Sequence, residues 1–130
     1  MISRNLLTAI IFILSINACA QVDHSKSISN DEFREMLKNN PSSIILDVRT
    51  PEELTGPLGK IDNVINIPVQ QLQQRINELE QYRDSEIIII CRTQNRSSAA
   101  VDILLRHGFK AKCVLGGMLE YSSKIKKSES

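Results

Sequence analysis

The chain contains no apolar segment long enough to cross a membrane as a helix. Its longest apolar run, residues 6–16, has eleven residues, and a hydrocarbon core of about 30 Å takes about 20. Histidine is scarce. His24 lies in a polar N-terminal stretch and His107 at the end of a helix, where the dipole accounts for it, so neither is a credible catalytic base. No group of His, Cys and carboxylates has metal-ligand spacing, so neither a metal nor another cofactor is expected. A surplus of one charge is missing too: 16 Lys and Arg stand against 15 Asp and Glu, without the basic excess of a nucleic-acid-binding face. There is no internal repeat and no low-complexity tract. Three cysteines in 130 residues are too few for a disulfide scaffold, and one domain of this size buries a core without one.

What is present centres on one segment, Ile87-Ile88-Ile89-Ile90-Cys91-Arg92-Thr93-Gln94-Asn95-Arg96-Ser97-Ser98-Ala99-Ala100. Four β-branched residues bounded by polar ones read as a strand buried on both faces. Cys91 stands at its carboxyl end, and Ala99, Ala100, Val101, Ile103, Leu104 and Leu105 continue as a helix. Loop N–H groups and the positive end of that helix dipole therefore converge on the sulfur. Arg92 and Arg96 add two permanent cations, a setting that favours thiolate over thiol. Four residues separate Cys91 from Arg96, giving a six-residue loop. Cysteine loops that transfer phosphate are one residue longer. A smaller ring of donors suits one sulfur atom better than a phosphoryl group with three oxygens.

This loop resembles the Cys-Arg-x-Gly-x-Arg-Ser active-site loop of rhodanese-like sulfurtransferases. Asp47-Val48-Arg49-Thr50-Pro51-Glu52-Glu53-Leu54 resembles the first signature of that family, Asn63-Val64-Ile65-Asn66-Ile67-Pro68 its middle strand, and Val114-Leu115-Gly116-Gly117-Met118 its closing turn. The resemblance implies an α/β fold, a mainly parallel five-stranded sheet with helices on both faces, and a persulfide carried on Cys91. It implies transfer of a sulfane sulfur from a small anionic donor such as thiosulfate to a thiophilic acceptor, cyanide or a thiol. Arg92, Thr93, Gln94, Asn95, Arg96 and Ser97 would form the substrate-binding cradle, with Arg96 and Arg92 drawing in the anionic donor. Asp47 and Arg49 would hold the framework.

Two positions depart from the pattern. Gln94 stands where the family has glycine; a non-glycine residue forced to positive φ costs roughly 1–2 kcal/mol, and Asn95 would carry such a turn better. Lys60 stands where a histidine is usual. Gln94 is the main argument for the competing reading, a non-catalytic binding or sulfur-carrier module.

At the N-terminus, Arg4 precedes the apolar run and Asn17-Ala18-Cys19-Ala20 follows it. This has the form of a secretory signal, and Ile16-Asn17-Ala18-Cys19 resembles a bacterial lipobox. The expected organisation is a signal peptide at 1–18, a lipid-anchored tether at 19–27 beginning with Cys19, the domain at 28–126 and a frayed tail at 127–130. Such a protein faces the periplasm from a membrane anchor. Cys91 must then stay free of disulfide pairing, which leaves Cys113 as a small buried hydrophobe.

Helices are expected from Ser29 or Asn30 to Asn39, at 51–54, from Leu72 through Glu80, from the cysteine loop to His107, and at 118–126. Strands are expected at 43–48, 64–67, 86–90 and 112–115. Alternation of this kind places the ligand beyond the carboxyl ends of the strands, where Cys91, Asp47 and Arg49 all fall.

Overall fold

The computed structural model describes residues 23–130; the apolar run, Cys19 and the first part of the tether lie outside the described residues. Five strands form one sheet: β1 (Ser27–Ile28), β2 (Ile44–Asp47), β3 (Ile65–Asn66), β4 (Glu86–Ile90) and β5 (Lys110–Val114). Their order is β1-β5-β4-β2-β3 and every pairing is parallel. Parallel neighbours need crossovers. These are supplied by α1 (Asn30–Asn39), α2 (Pro51–Leu54), α3 (Val69–Leu72), a 3₁₀ helix (Ile76–Tyr82) and α4 (Asn95–Arg106), with α5 (Gly117–Ser128) closing the chain. Among the described residues no helix is long and apolar enough to cross a membrane.

Successive side chains on a strand point to opposite faces, which explains the run of four isoleucines in central strand β4. Ile87 and Ile89 pack with Leu46, Ala100, Val101 and Leu104 on one face. Ile88 and Ile90 pack with Ile45, Phe33 and Met118 on the other. Each face carries its own core, so no position in β4 past Glu86 tolerates a polar side chain.

Helix ends follow local chemistry. Ser29 caps α1, its hydroxyl accepting from Glu32 N–H (3.1 Å) while Glu32 Oε2 accepts from Ser29 N–H (2.7 Å), a reciprocal capping box. Around α2 the Glu53 carboxylate accepts from the Thr50 N–H at 3.0 Å and from its hydroxyl at 3.3 Å, while Glu53 N–H donates to Thr50 O at 3.1 Å, with Pro51 at the first helical position.

Several boundaries differ from the sequence expectation. Ser27 belongs to the sheet instead of the tether: it is buried, it pairs with Cys113, and its hydroxyl donates to Asp23 O. A two-residue edge strand carries no periodicity to read. The helix expected from Leu72 through Glu80 is broken into α3 and the 3₁₀ helix, although Leu72, Ile76 and Leu79 are buried as the spacing required. Strand β5 starts at Lys110, and α5 runs from Gly117 to Ser128, two residues into the segment expected to fray.

Candidate active site

The carboxyl ends of β2 and β4 lie side by side, Asp47 in register with Ile90, and the chain leaves each into a loop. Cys91 is the first residue beyond β4 and is 1% exposed. Its sulfur sits on the N-terminal turn of α4. Ser97 N–H donates to Sγ at 3.4 Å, and Ser97 Oγ lies 3.3 Å from it. In the thiol form Sγ–H donates to that hydroxyl, whose own proton goes to Gln94 O at 3.1 Å. Once the sulfur is a thiolate, the same hydroxyl turns to donate to it.

The orientation of the loop is set by α5. Met118 N–H donates to Cys91 O (2.9 Å) and Leu119 N–H to Arg92 O (3.0 Å). Peptide units are planar and trans, so the N–H groups of Arg92 and Thr93 point away from α5. Among the described residues the N–H groups of 92–96 have no protein acceptor, whereas Ser98 N–H returns to Gln94 O at 2.8 Å. Five consecutive free donors followed by the Ser97 N–H on sulfur form a cradle for negative charge. Gly117 makes the close approach possible. With φ +53° it occupies the left-handed region, and a Cβ there would stand 2.6 Å from Cys91 O and 2.7 Å from Arg92 O, and closer still to Thr93 O.

Asp47 and Arg49 are both fully buried and bonded to each other. Arg49 Nε reaches Asp47 Oδ1 and Oδ2 at 3.0 and 3.1 Å, Nη2 reaches Oδ2 at 2.8 Å, and Arg49 N–H donates to Oδ1 at 3.0 Å. The remaining guanidinium donors go to Gly59 O (2.8 Å) and Glu53 O (3.3 Å), stitching the 55–59 loop and α2 to the strand end. Asn66 Nδ2 donates to Asp47 O and Arg49 O, tying in β3. A buried pair this fully hydrogen-bonded is a framework.

A family model described as Rhodanese-like domain matches residues 29–124. The chain belongs to this family. Protein YqhL of Bacillus subtilis is 33% identical over 102 residues, with 78% of this chain and 75% of YqhL covered. The adenylyltransferase and sulfurtransferase MOCS3 of Arabidopsis thaliana is 28% identical over 113 residues, but the match spans 75% of this chain and only 24% of MOCS3. Among solved structures, a rhodanese-related protein from Thermoplasma volcanium superposes with a TM-score of 0.67 at 36% identity, covering 76% of this chain and 92% of that one.

Within this rhodanese-like frame the loop differs from the sequence expectation at three residues. Gln94 is not in the left-handed region: its φ is −162°, a value that does not call for glycine, and among the described residues only Asn63 is a non-glycine with positive φ. Asn95 does not carry a turn; it is the first residue of α4. The strain argued from the missing glycine is therefore absent. Gln94 Oε1 instead accepts from Gly116 N–H at 3.4 Å, a long contact between the loop and the start of α5. The third difference concerns Arg96, whose Nη1 and Nη2 lie on Glu53 Oε2 and Oε1 at 2.6 and 2.8 Å. Arg96 holds the Glu53 carboxyl down to about 2 from its usual 4.5, with the Thr50 N–H and hydroxyl adding to the effect. The cation is thus committed within the protein, while Arg92 is exposed and Thr93 half-buried.

Glu53 is the residue that sequence reasoning missed. Its signal is Thr50-x-x-Glu53, a capping-box spacing just after the framework arginine. The link from Glu53 to Arg96 spans 43 positions and leaves no mark on local pattern. Cys113 lies buried in β5 with its thiol pushed up by burial.

Proposed function

We propose that this protein is a sulfurtransferase that carries a sulfane sulfur on Cys91. The observation that supports this best is the arrangement around Sγ: a sulfur on the Ser97 N–H at 3.4 Å, at the floor of a loop whose N–H groups from 92 to 96 are free of protein acceptors. Cys91 thiolate attacks the outer sulfur of a donor such as thiosulfate; a new S–S bond forms, and sulfite leaves with the electrons of the old one. The charge of the persulfide spreads over the loop donors. A thiophilic acceptor, cyanide or a thiol, then attacks the outer sulfur and releases Cys91 as thiolate. Glu53 fixes Arg96 against the rim, which keeps the loop closed around a group of one-sulfur size.

We further propose that the protein works in the bacterial envelope, released from a signal peptide ending at Ala18 and anchored through an acylated Cys19, with residues 20–22 as the start of a short link to the domain. The form of the N-terminal sequence supports this reading.

The test is thiocyanate formation from thiosulfate and cyanide. Wild type and Cys113→Ser turn over alike, and Cys91→Ser is silent while its melting temperature stays close to wild type, since the exchange is nearly isosteric. Equal loss in both serine variants would replace the one-cysteine mechanism with a Cys91/Cys113 redox pair.

A further inference from the structure

Asn30, the first residue of α1, is 1% exposed, although its neighbours Asp31 and Glu32 face solvent. Its amide lies against the turn that leads from β5 into α5: Nδ2 donates to Leu115 O and to Gly117 O, both at 3.1 Å. Only the NH₂ end of the side chain can face two carbonyl oxygens, so the orientation of the amide is set. Oδ1, also buried, has no partner among the described residues. A buried acceptor without a partner costs stability, and the two carbonyls that Nδ2 serves are what holds the polar group there.

Each of those carbonyls shares a peptide unit with an N–H that donates to the cysteine loop. Gly117 O belongs to the peptide that carries the Met118 N–H, and this N–H donates to Cys91 O at 2.9 Å. Leu115 O belongs to the peptide that carries the Gly116 N–H, which reaches Gln94 Oε1 at 3.4 Å. A trans peptide is planar with its C=O and N–H pointing opposite ways, so a donor fixed on the oxygen side sets the aim of the N–H. Cys91 O in turn shares its peptide with the Arg92 N–H, which points away from α5 into the cradle. A continuous row results: Asn30 Nδ2, the 117–118 peptide, the 91–92 peptide and the free Arg92 N–H. Hydrogen bonds in such a row polarise one another, each strengthening the next donor. We propose that Asn30 is a positioning residue of the sulfur site, one that aims the Arg92 N–H and strengthens it as a donor to the negative charge of the outer sulfur. The inference rests on the persulfide reading of Cys91. The outer sulfur takes on that charge as the new S–S bond forms, so Asn30 acts on the rate of sulfur loading and little on the capture of thiosulfate.

Three variants of the full chain test it. Asn30→Ala and Asn30→Leu both remove the donor, the second while filling the space. Phe33→Leu is the control, because Phe33 is buried in the same helix and packs on Tyr121 of α5 with ring centroids 5.7 Å apart. In isotope-labelled protein without sulfur, the amide proton signals of Met118 and Arg92 are compared with wild type. The expected result is that both Asn30 variants move the two signals upfield and that Phe33→Leu leaves the Arg92 signal in place. Sulfur loading is then timed across thiosulfate concentrations. At saturation the Asn30 variants load about threefold or more slowly, the size of one hydrogen bond, with the half-saturating concentration unchanged. Phe33→Leu loads at the wild-type rate even where its melting temperature falls as far. An unmoved Arg92 signal in the Asn30 variants, wild-type loading in either of them, or equally slow loading in Phe33→Leu at matched loss of stability overturns the proposal and leaves the sulfurtransferase reading standing. A wild type that takes up no sulfur overturns that reading and the role of Asn30 with it, even where the amide signals move.

Discussion

Gln94 occupies the place where the resemblance calls for glycine, and its backbone explains why the exchange is tolerated. At φ −162° it needs no left-handed conformation, so Gln94→Gly relieves no strain and adds only the freedom of glycine, a cost of roughly 0.5–1 kcal/mol. The glycine variant also loses the long Gln94 Oε1 contact to Gly116 N–H. The expected outcome is a slightly lower melting temperature and a change in thiosulfate turnover of about tenfold or less, at most about 1.4 kcal/mol in the barrier. Sulfur loading that appears only in the glycine variant would show the wild-type loop to be incompetent. The places of Cys91, Asp47 and Arg49 at the carboxyl ends of strands were legible because the strand, loop and helix pattern fixes them. The backbone of Gln94 was not legible, since family analogy supplies a residue type and the φ of a substituted position depends on how the following helix starts.

At the level of elements, the site is the meeting of three chain segments: the end of β4 with the start of α4, the start of α5, and α2. The α5 contact rests on Gly117. Replacing it with alanine drives a Cβ against the carbonyl oxygens of Cys91, Arg92 and Thr93, all backbone, in addition to the roughly 1–2 kcal/mol of a left-handed alanine. We expect Gly117→Ala to destabilise the fold by more than about 2 kcal/mol in denaturant titrations and to abolish turnover; a neutral variant would mean that α5 does not set the loop. The α2 contact is the Glu53–Arg96 pair, 30% and 29% exposed. Because folding lowers the Glu53 carboxyl to about 2 from 4.5, its contribution is complete above about pH 4.5 and is lost as pH falls toward 2. The melting-temperature gap between wild type and Glu53→Gln should therefore be widest near neutrality and close between those pH values. A gap unchanged across that range would contradict the pairing. Strand and helix types were readable from periodicity and caps, whereas the two-residue strands and the break between α3 and the 3₁₀ helix were not, because short elements are decided by the sheet and core they join.

At the scale of the whole molecule, a parallel sheet with two separate cores holds one edge of loops in place, and that edge carries all the proposed chemistry. The N-terminal segment adds a second proposal. An eleven-residue apolar run cannot span a bilayer, and stable attachment needs two acyl chains or their equivalent, so Cys19→Ala should release the protein from membranes or leave its signal uncleaved. Normal cleavage with unchanged membrane retention would remove the lipoprotein reading. The central claim is that Cys91 carries sulfur, and the most direct measurement is intact-mass analysis of the protein after thiosulfate. The account predicts a gain of a single sulfur atom, mapped to the peptide containing Cys91 and removed by cyanide. A wild-type mass unchanged by thiosulfate, or sulfur found on Cys113 instead, would contradict it.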